Sequence, residues 1–167
     1  GFILTHAYER VDMPTQEQVD AYLPPYEPRQ VLDPADPVSI GAMVGPEAFM
    51  EVRFLAHAKQ QQALQLIPAW ASEFKRIFGR ASGGLTHGYH LDDAETVVVA
   101  FGTTARFVKH AIGLLRADGH RIGYVRPITL WPFPIRALLP LLDTAKRVVA
   151  VEASDGQLED ELRLARS

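Results

Sequence analysis

Two glycine turns, Gly102-Thr103-Thr104 and Ser154-Asp155-Gly156-Gln157, carry the residue types that could grip an anion. Each falls where a strand should end and a helix begin. Free backbone amides and the positive end of the helix dipole there favour a phosphate or carboxylate. Open parallel sheets bind ligands along that same edge. Neither turn has the spacing of the dinucleotide or P-loop signatures. The simpler account is that glycine permits the tight turn while Thr or Ser caps the helix. Gly102, Thr103, Thr104, Gly156 and Gln157 are therefore candidate anion positions only.

The other reactive side chains form no constellation. His87 and His90 stand three apart in a glycine-containing loop, and no cysteine accompanies them as a metal ligand would. His57, His110 and His120 show no metal-ligand spacing either, and His6 stands out only for following a short apolar stretch. Gly-x-Ser-x-Gly is absent. Asp92-Asp93 and Glu159-Asp160-Glu161 sit at element entries, where solvation and dipole pairing account for them. The expectation is no catalytic residue, no cofactor-binding residue and no metal ligand. Trp131, between Thr129-Leu130 and Pro132-Phe133-Pro134, is an aromatic in a stiff apolar loop. Such a loop either plugs its own domain edge or meets another subunit, and rigid aromatics lose little entropy on binding. The interface reading is preferred, with Trp131, Phe133, Arg126 and Tyr26 as its candidates.

The elements that must position these residues can be read from periodicity. Glu95–Phe101 is a short apolar run rich in β-branched residues, and Gly102 ends it. Thr103 and Thr104 can cap the helix that follows. Phe107, Val108, Ala111, Ile112 and Leu115 recur at helical spacing and predict its buried face. Asp118-Gly119 supplies a left-handed stop, and Arg121–Ile128 reads as the next strand. The result is a right-handed βαβ unit. A short helix over Ile135–Leu142, a strand over Arg147–Glu152 and a terminal helix complete the pattern. The fold class is α/β: a small, mainly parallel sheet with helices on both faces.

Upstream, residues 1–5 read as a strand and His6–Gln18 as polar and irregular. From Tyr22 to Pro46 the chain carries six prolines, at 24, 25, 28, 34, 37 and 46. Such a segment runs extended. Leu23, Tyr26, Val31, Leu32, Val38 and Ile40 make it too apolar for a free linker and predict an ordered arm packed on a neighbouring surface. Pro46-Glu47 opens a long helix to about Phe78, with Ile67, Trp70, Phe74, Ile77 and Phe78 as its stripe. Pro68 should kink or restart it. Residues 81–91 read as a loop. The division is therefore 1–46, end of a preceding domain and arm; 47–80, long helix; 92–167, α/β domain. The glycine-led start without methionine, and a helical pattern still running at the end, lead us to expect a piece of a longer polypeptide.

Bulk properties narrow the function classes. A formal charge of −3 argues against an electrostatic grip on nucleic acid or an anionic membrane. The absence of cysteine excludes disulfides and any iron–sulfur cluster held by this chain's thiolates, and fits a cytoplasmic setting. No apolar run approaches the length of a membrane span.

Several segments together resemble one family. They are Gly1–Glu9 (GFILTHAYE), Phe78-Gly79-Arg80, Asp93-Ala94-Glu95, Phe101-Gly102-Thr103 and Gly119–Trp131. Leu130–Pro134 (LWPFP), Val151-Glu152, Gly156-Gln157 and Glu159–Leu164 follow. In this order they resemble the α subunit of 2-oxoacid:ferredoxin oxidoreductases, most of all the branched-chain 2-oxoisovalerate type. That resemblance implies a parent enzyme using thiamin diphosphate with Mg, iron–sulfur clusters and coenzyme A. It would yield acyl-CoA, CO2 and reduced ferredoxin. It implies partners in a thiamin diphosphate-binding β subunit and in γ and δ subunits, with ferredoxin reached through the complex. The chain would be the end of the pyrimidine-side domain plus most of a transketolase C-terminal-like domain, with the thiazolium-activating residues upstream and the diphosphate site on a partner. Gly83-Gly84 and His87 depart from the family, where acidic or tyrosine-bearing residues are commoner. The alternative is a stand-alone α/β module that binds a small anion or regulates.

Overall fold

The computed structural model describes residues 6, 8, 10–39, 41 and 43–166. The expected first strand, residues 1–5, and Ile40 lie outside the described residues. In chain order the elements are α1 (Gln16–Tyr22), α2 (Pro46–Phe78), β1 (Thr86–Tyr89), β2 (Thr96–Val99), α3 (Gly102–Ala117), β3 (Ile122–Pro127), α4 (Ile135–Leu142), β4 (Arg147–Ala150) and α5 (Gln157–Arg166).

The four strands lie in the order β1-β3-β2-β4. β2 runs parallel to both β3 and β4, pairing Val98 with Tyr124 on one side and Val149 on the other. This is the α/β sheet that the alternation of strand and helix predicts. β1 pairs antiparallel with β3, His87 opposite Arg126 and Tyr89 opposite Tyr124. That strand corrects the expectation of a loop over residues 81–91. Thr86-His87-Gly88-Tyr89 has no run of β-branched residues, so its pairing with β3 rather than its own propensity makes it a strand. Gly123 lets the segments approach, because a Cβ there would stand 2.5 Å from the His90 carbonyl oxygen.

Successive strand residues point to opposite faces and build two clusters. Val97, Val99 and Val125 pack with Leu138 and Leu142 of α4 and Leu158 and Leu162 of α5. Val98, Ala100 and Tyr124 pack with Ala105, Val108 and Ile112 of α3. The buried stripe of α3 thus differs from the predicted one: Phe107 is 71% exposed, and Ala111 and Leu115 are exposed too. At 3.6 residues per turn, Phe107 and Ala111 sit about a third of a turn or more away from the Ala105–Ile112 line. The small Ala105 side chain, not the large Phe107, meets the sheet. Phe101 is the N-cap of α3 and no side chain caps it, so Thr103 and Thr104 do not take the role expected of them.

Arg116 ties the far end of α3 to its surroundings. It donates to the carbonyls of Ile122 at 2.6 Å and His90 at 2.7 Å, and to Asp93 at 2.9 Å. Its guanidinium, through hydrogen bonding first, holds the Asp93 carboxyl below its ordinary range.

Upstream, Thr15 and Gln18 form a capping box that starts α1 within the stretch expected to be irregular. Tyr22 of α1 then meets Phe74 and Phe78 edge-on at 5.6 and 5.4 Å. Phe74, Ile77 and Phe78 are half-buried, whereas Trp70 is 56% exposed and no α2 residue is fully buried. α2 continues through Pro68 as one helix rather than restarting. The arm does not pack as expected on the described residues: Leu23, Tyr26, Val31, Leu32 and Val38 are all exposed.

Candidate functional site

The two glycine turns lie at the carboxyl ends of β2 and β4, as their spacing requires, yet they differ in chemistry. At the start of α5 the chain brings its own anion. Glu152 accepts hydrogen bonds from the amides of Leu158 at 3.0 Å and Glu159 at 3.1 Å, and from the Ser154 hydroxyl. These donors, Ser154 first, hold the Glu152 carboxyl below its ordinary range. Gln157 is turned back to accept from the Asp155 amide at 2.8 Å. An incoming anion at Gly156-Gln157 would have to displace Glu152. At the start of α3, Gly102 takes a left-handed φ of 59°, Gly102 and Thr103 are exposed, and among the described residues no side-chain cap hydrogen bond is made.

The four interface candidates are not gathered in one place. Trp131 is 70% exposed, while Pro132 and Pro134 beside it are buried. Phe133 packs against the cluster beneath α4 and α5. The loop therefore plugs its own domain edge with Phe133 and the prolines and presents Trp131 outward. Arg126 stands two residues along β3 from Tyr124 and shares its face, on the α3 side of the sheet. Tyr26 lies on the arm, 89% exposed.

Sequence reading passed over a basic groove. Arg126 of β3 and Arg106 and Lys109 of α3 line two adjoining recesses of about 510 and 570 Å³. His87, Tyr124 and Ser82 border the first, and Tyr89 and His110 the second. The Lys109 ammonium lies 5.0 Å from the centre of the Tyr89 ring. Burial pushes the Tyr124 hydroxyl upward, and Arg126 partly opposes that shift. A signal for the groove was present in the sequence: from Thr96 to Leu142 there are six Arg and Lys and one acid, Asp118. The β1 register that collects them was not. A larger hollow of about 590 Å³ beside β4 is lined by Glu159 and Arg163, which neutralise each other at 2.5 Å.

Comparison with known proteins adds the following. Residues 94–167 match the family described as pyruvate:ferredoxin oxidoreductase core domain II. Over 152 residues the chain is 41% identical to pyruvate synthase subunit PorA of Methanosarcina barkeri, covering 91% of this chain and 38% of that one. It is 33% identical over 153 residues to ketoisovalerate oxidoreductase subunit VorA of Pyrococcus horikoshii, covering 91% of this chain and 39% of that one. Among solved structures, a 2-oxoglutarate:ferredoxin oxidoreductase from Magnetococcus marinus gives a TM-score of 0.46. Its sequence is 22% identical, with 56% of this chain and 16% of that chain covered. The chain thus spans about two fifths of the length of the curated relatives it matches.

Proposed function

We propose that this chain is part of the α subunit of a 2-oxoacid:ferredoxin oxidoreductase and gives that subunit an assembly domain rather than its reacting centre. The observation that carries the reading is the likeness to PorA and VorA subunits along 91% of the chain. The parent reaction would convert a 2-oxoacid, coenzyme A and oxidised ferredoxin to acyl-CoA, CO2 and reduced ferredoxin. Relatives named for pyruvate and for ketoisovalerate both match, at 41% and 33% identity, so pyruvate stands first and a branched-chain 2-oxoacid second. The branched-chain type expected from the sequence is thereby not singled out.

The residues present do not fit the redox and metal groups of such an enzyme. The chain has no cysteine, and among the described residues no three His, Asp or Glu side chains converge to hold a metal ion. The lack of cysteine supports placing the iron–sulfur clusters on other parts of the proposed assembly, and the resemblance implies the same for thiamin diphosphate and Mg. Its own contribution is a rigid sheet whose outward features are the Trp131 loop and the apolar arm. Both are proposed to face the β, γ or δ subunits. The proposed division on this reading is 1–46, 47–80 and 92–167. Among the described residues no helix is long and apolar enough to cross a membrane, and a cytoplasmic complex is proposed.

The uncapped start of α3 favours the alternative, a small-anion module. The deciding experiment purifies the complex through an affinity tag on this polypeptide, expressed with its neighbouring genes. Partner subunits should co-purify, and the complex should reduce viologen only with a 2-oxoacid and coenzyme A together. Isolation without partners, and a melting midpoint raised by phosphate or coenzyme A, would replace this reading with the module. Substrate-dependent viologen reduction by the isolated chain would refute the assembly role.

A further inference from the structure

We propose that the groove between α3 and the β1–β3 edge receives an extended, acidic segment of another protein chain. The inference rests on the groove itself and not on the family reading. Arg106, Lys109 and Arg126 share one groove, and none has an ion-pair partner among the described residues. This contrasts with Arg116 and Arg121 nearby, paired with Asp93 and Glu95. No carboxylate lines either recess, although the chain as a whole is negative at −3. Like charges gathered in one concavity raise the local potential and concentrate a complementary anion there.

Shape decides which anion. Sites for small molecules are enclosed and bury most of their ligand. This groove lies open along α3, with its cations spread from Arg106 through Lys109 on the helix to Arg126 on the strand. Its border is β1, the terminal strand of the sheet, whose outer backbone edge is unpaired among the described residues. An incoming strand laid along that edge would form main-chain hydrogen bonds. Every second side chain would then stand on the α3 side, beside His87 and Tyr89. A segment with carboxylates at alternate positions meets both requirements.

The test uses the full-length polypeptide and a labelled peptide, acetyl-(Glu-Thr)4, read by fluorescence anisotropy at low salt. The neutral (Gln-Thr)4 peptide and inorganic diphosphate serve as comparisons. Each exposed cation should contribute about threefold, so the triple variant Arg106→Gln/Lys109→Gln/Arg126→Gln should bind about 30-fold more weakly. A control triple, Arg29→Gln/Arg53→Gln/Lys59→Gln, removes equal charge elsewhere and should stay within about twofold. Binding of the acidic peptide should also slow hydrogen exchange in β1. No binding by the parent polypeptide, or equal losses in both triples, would overturn the proposal. Diphosphate saturating one site more tightly than the peptide would overturn it in favour of a small polyanion.

Discussion

Replacing Val98 with Asp should collapse the α/β domain, and the cost can be worked from the packing. Val98 lies in the central strand, 8% exposed, and packs with Ala105, Val108 and Ile112 of α3. Losing the valine's apolar burial costs about 2 kcal/mol. No cation belongs to the cluster around it. A carboxyl there is desolvated without compensation, which raises its pKa by roughly three units and adds about 4 kcal/mol at neutral pH. The sum of about 6 kcal/mol matches the whole margin of many domains, about 5–15 kcal/mol. Thermal unfolding followed by circular dichroism should show a midpoint lowered by more than about 20 °C, or no transition at all. The sign of the pH effect follows from the raised pKa. The penalty is complete above the folded pKa and fades as pH falls toward about 4, where the unfolded carboxyl also protonates. Val98→Asp should therefore partly recover at pH 5 relative to Val98→Asn, which has no such group. A Val98→Asp midpoint within about 3 °C of the parent at pH 8 would refute the burial of this strand beneath α3.

Gly123→Ala should destabilise the domain by about 1–3 kcal/mol, since the new methyl would stand 2.5 Å from the backbone carbonyl oxygen of His90, besides crowding Leu91 and Ala94. Chemical denaturation measures it, and a neutral result would count against the close approach of loop and strand. Glu152→Gln should flatten the acid limb of stability. The lowered Glu152 pKa means that its contribution is present above the ordinary value of 4.5 and is lost as pH falls through the folded value, which melting curves between pH 3 and 7 would reveal. Trp131→Ala should leave the chain's own melting midpoint within about 2 °C, because the side chain is 70% exposed, while weakening assembly with partner subunits in co-purification. A large loss of thermal stability in the isolated chain would overturn the interface role of Trp131.

Sequence alone determined the parts of this protein that are governed by local rules. The β-branched run at Val97–Val99, the glycine stop at Gly119 and the proline start of the long helix all follow from backbone preference and hydrophobic period. The parallel direction of β2, β3 and β4 follows in the same way, because a helical crossover returns the chain to the same end of the sheet. The central place of β2 came from the fold. Tertiary structure decided what depends on neighbours distant in sequence. Thr86–Tyr89 is a strand only because β3 pairs with it, and Tyr22 finds Phe74 only because α1 folds back. Which stripe of α3 faces the sheet was decided by packing, with Ala105 buried against it and Phe107 turned outward. The same limit applies to the sites. Residue types marked both glycine turns alike, but only the fold brings Glu152 onto the amides of one and leaves the other open. Charge counting along the chain could find the cations of Arg106, Lys109 and Arg126, yet their meeting in one groove required the antiparallel register of β1 on β3.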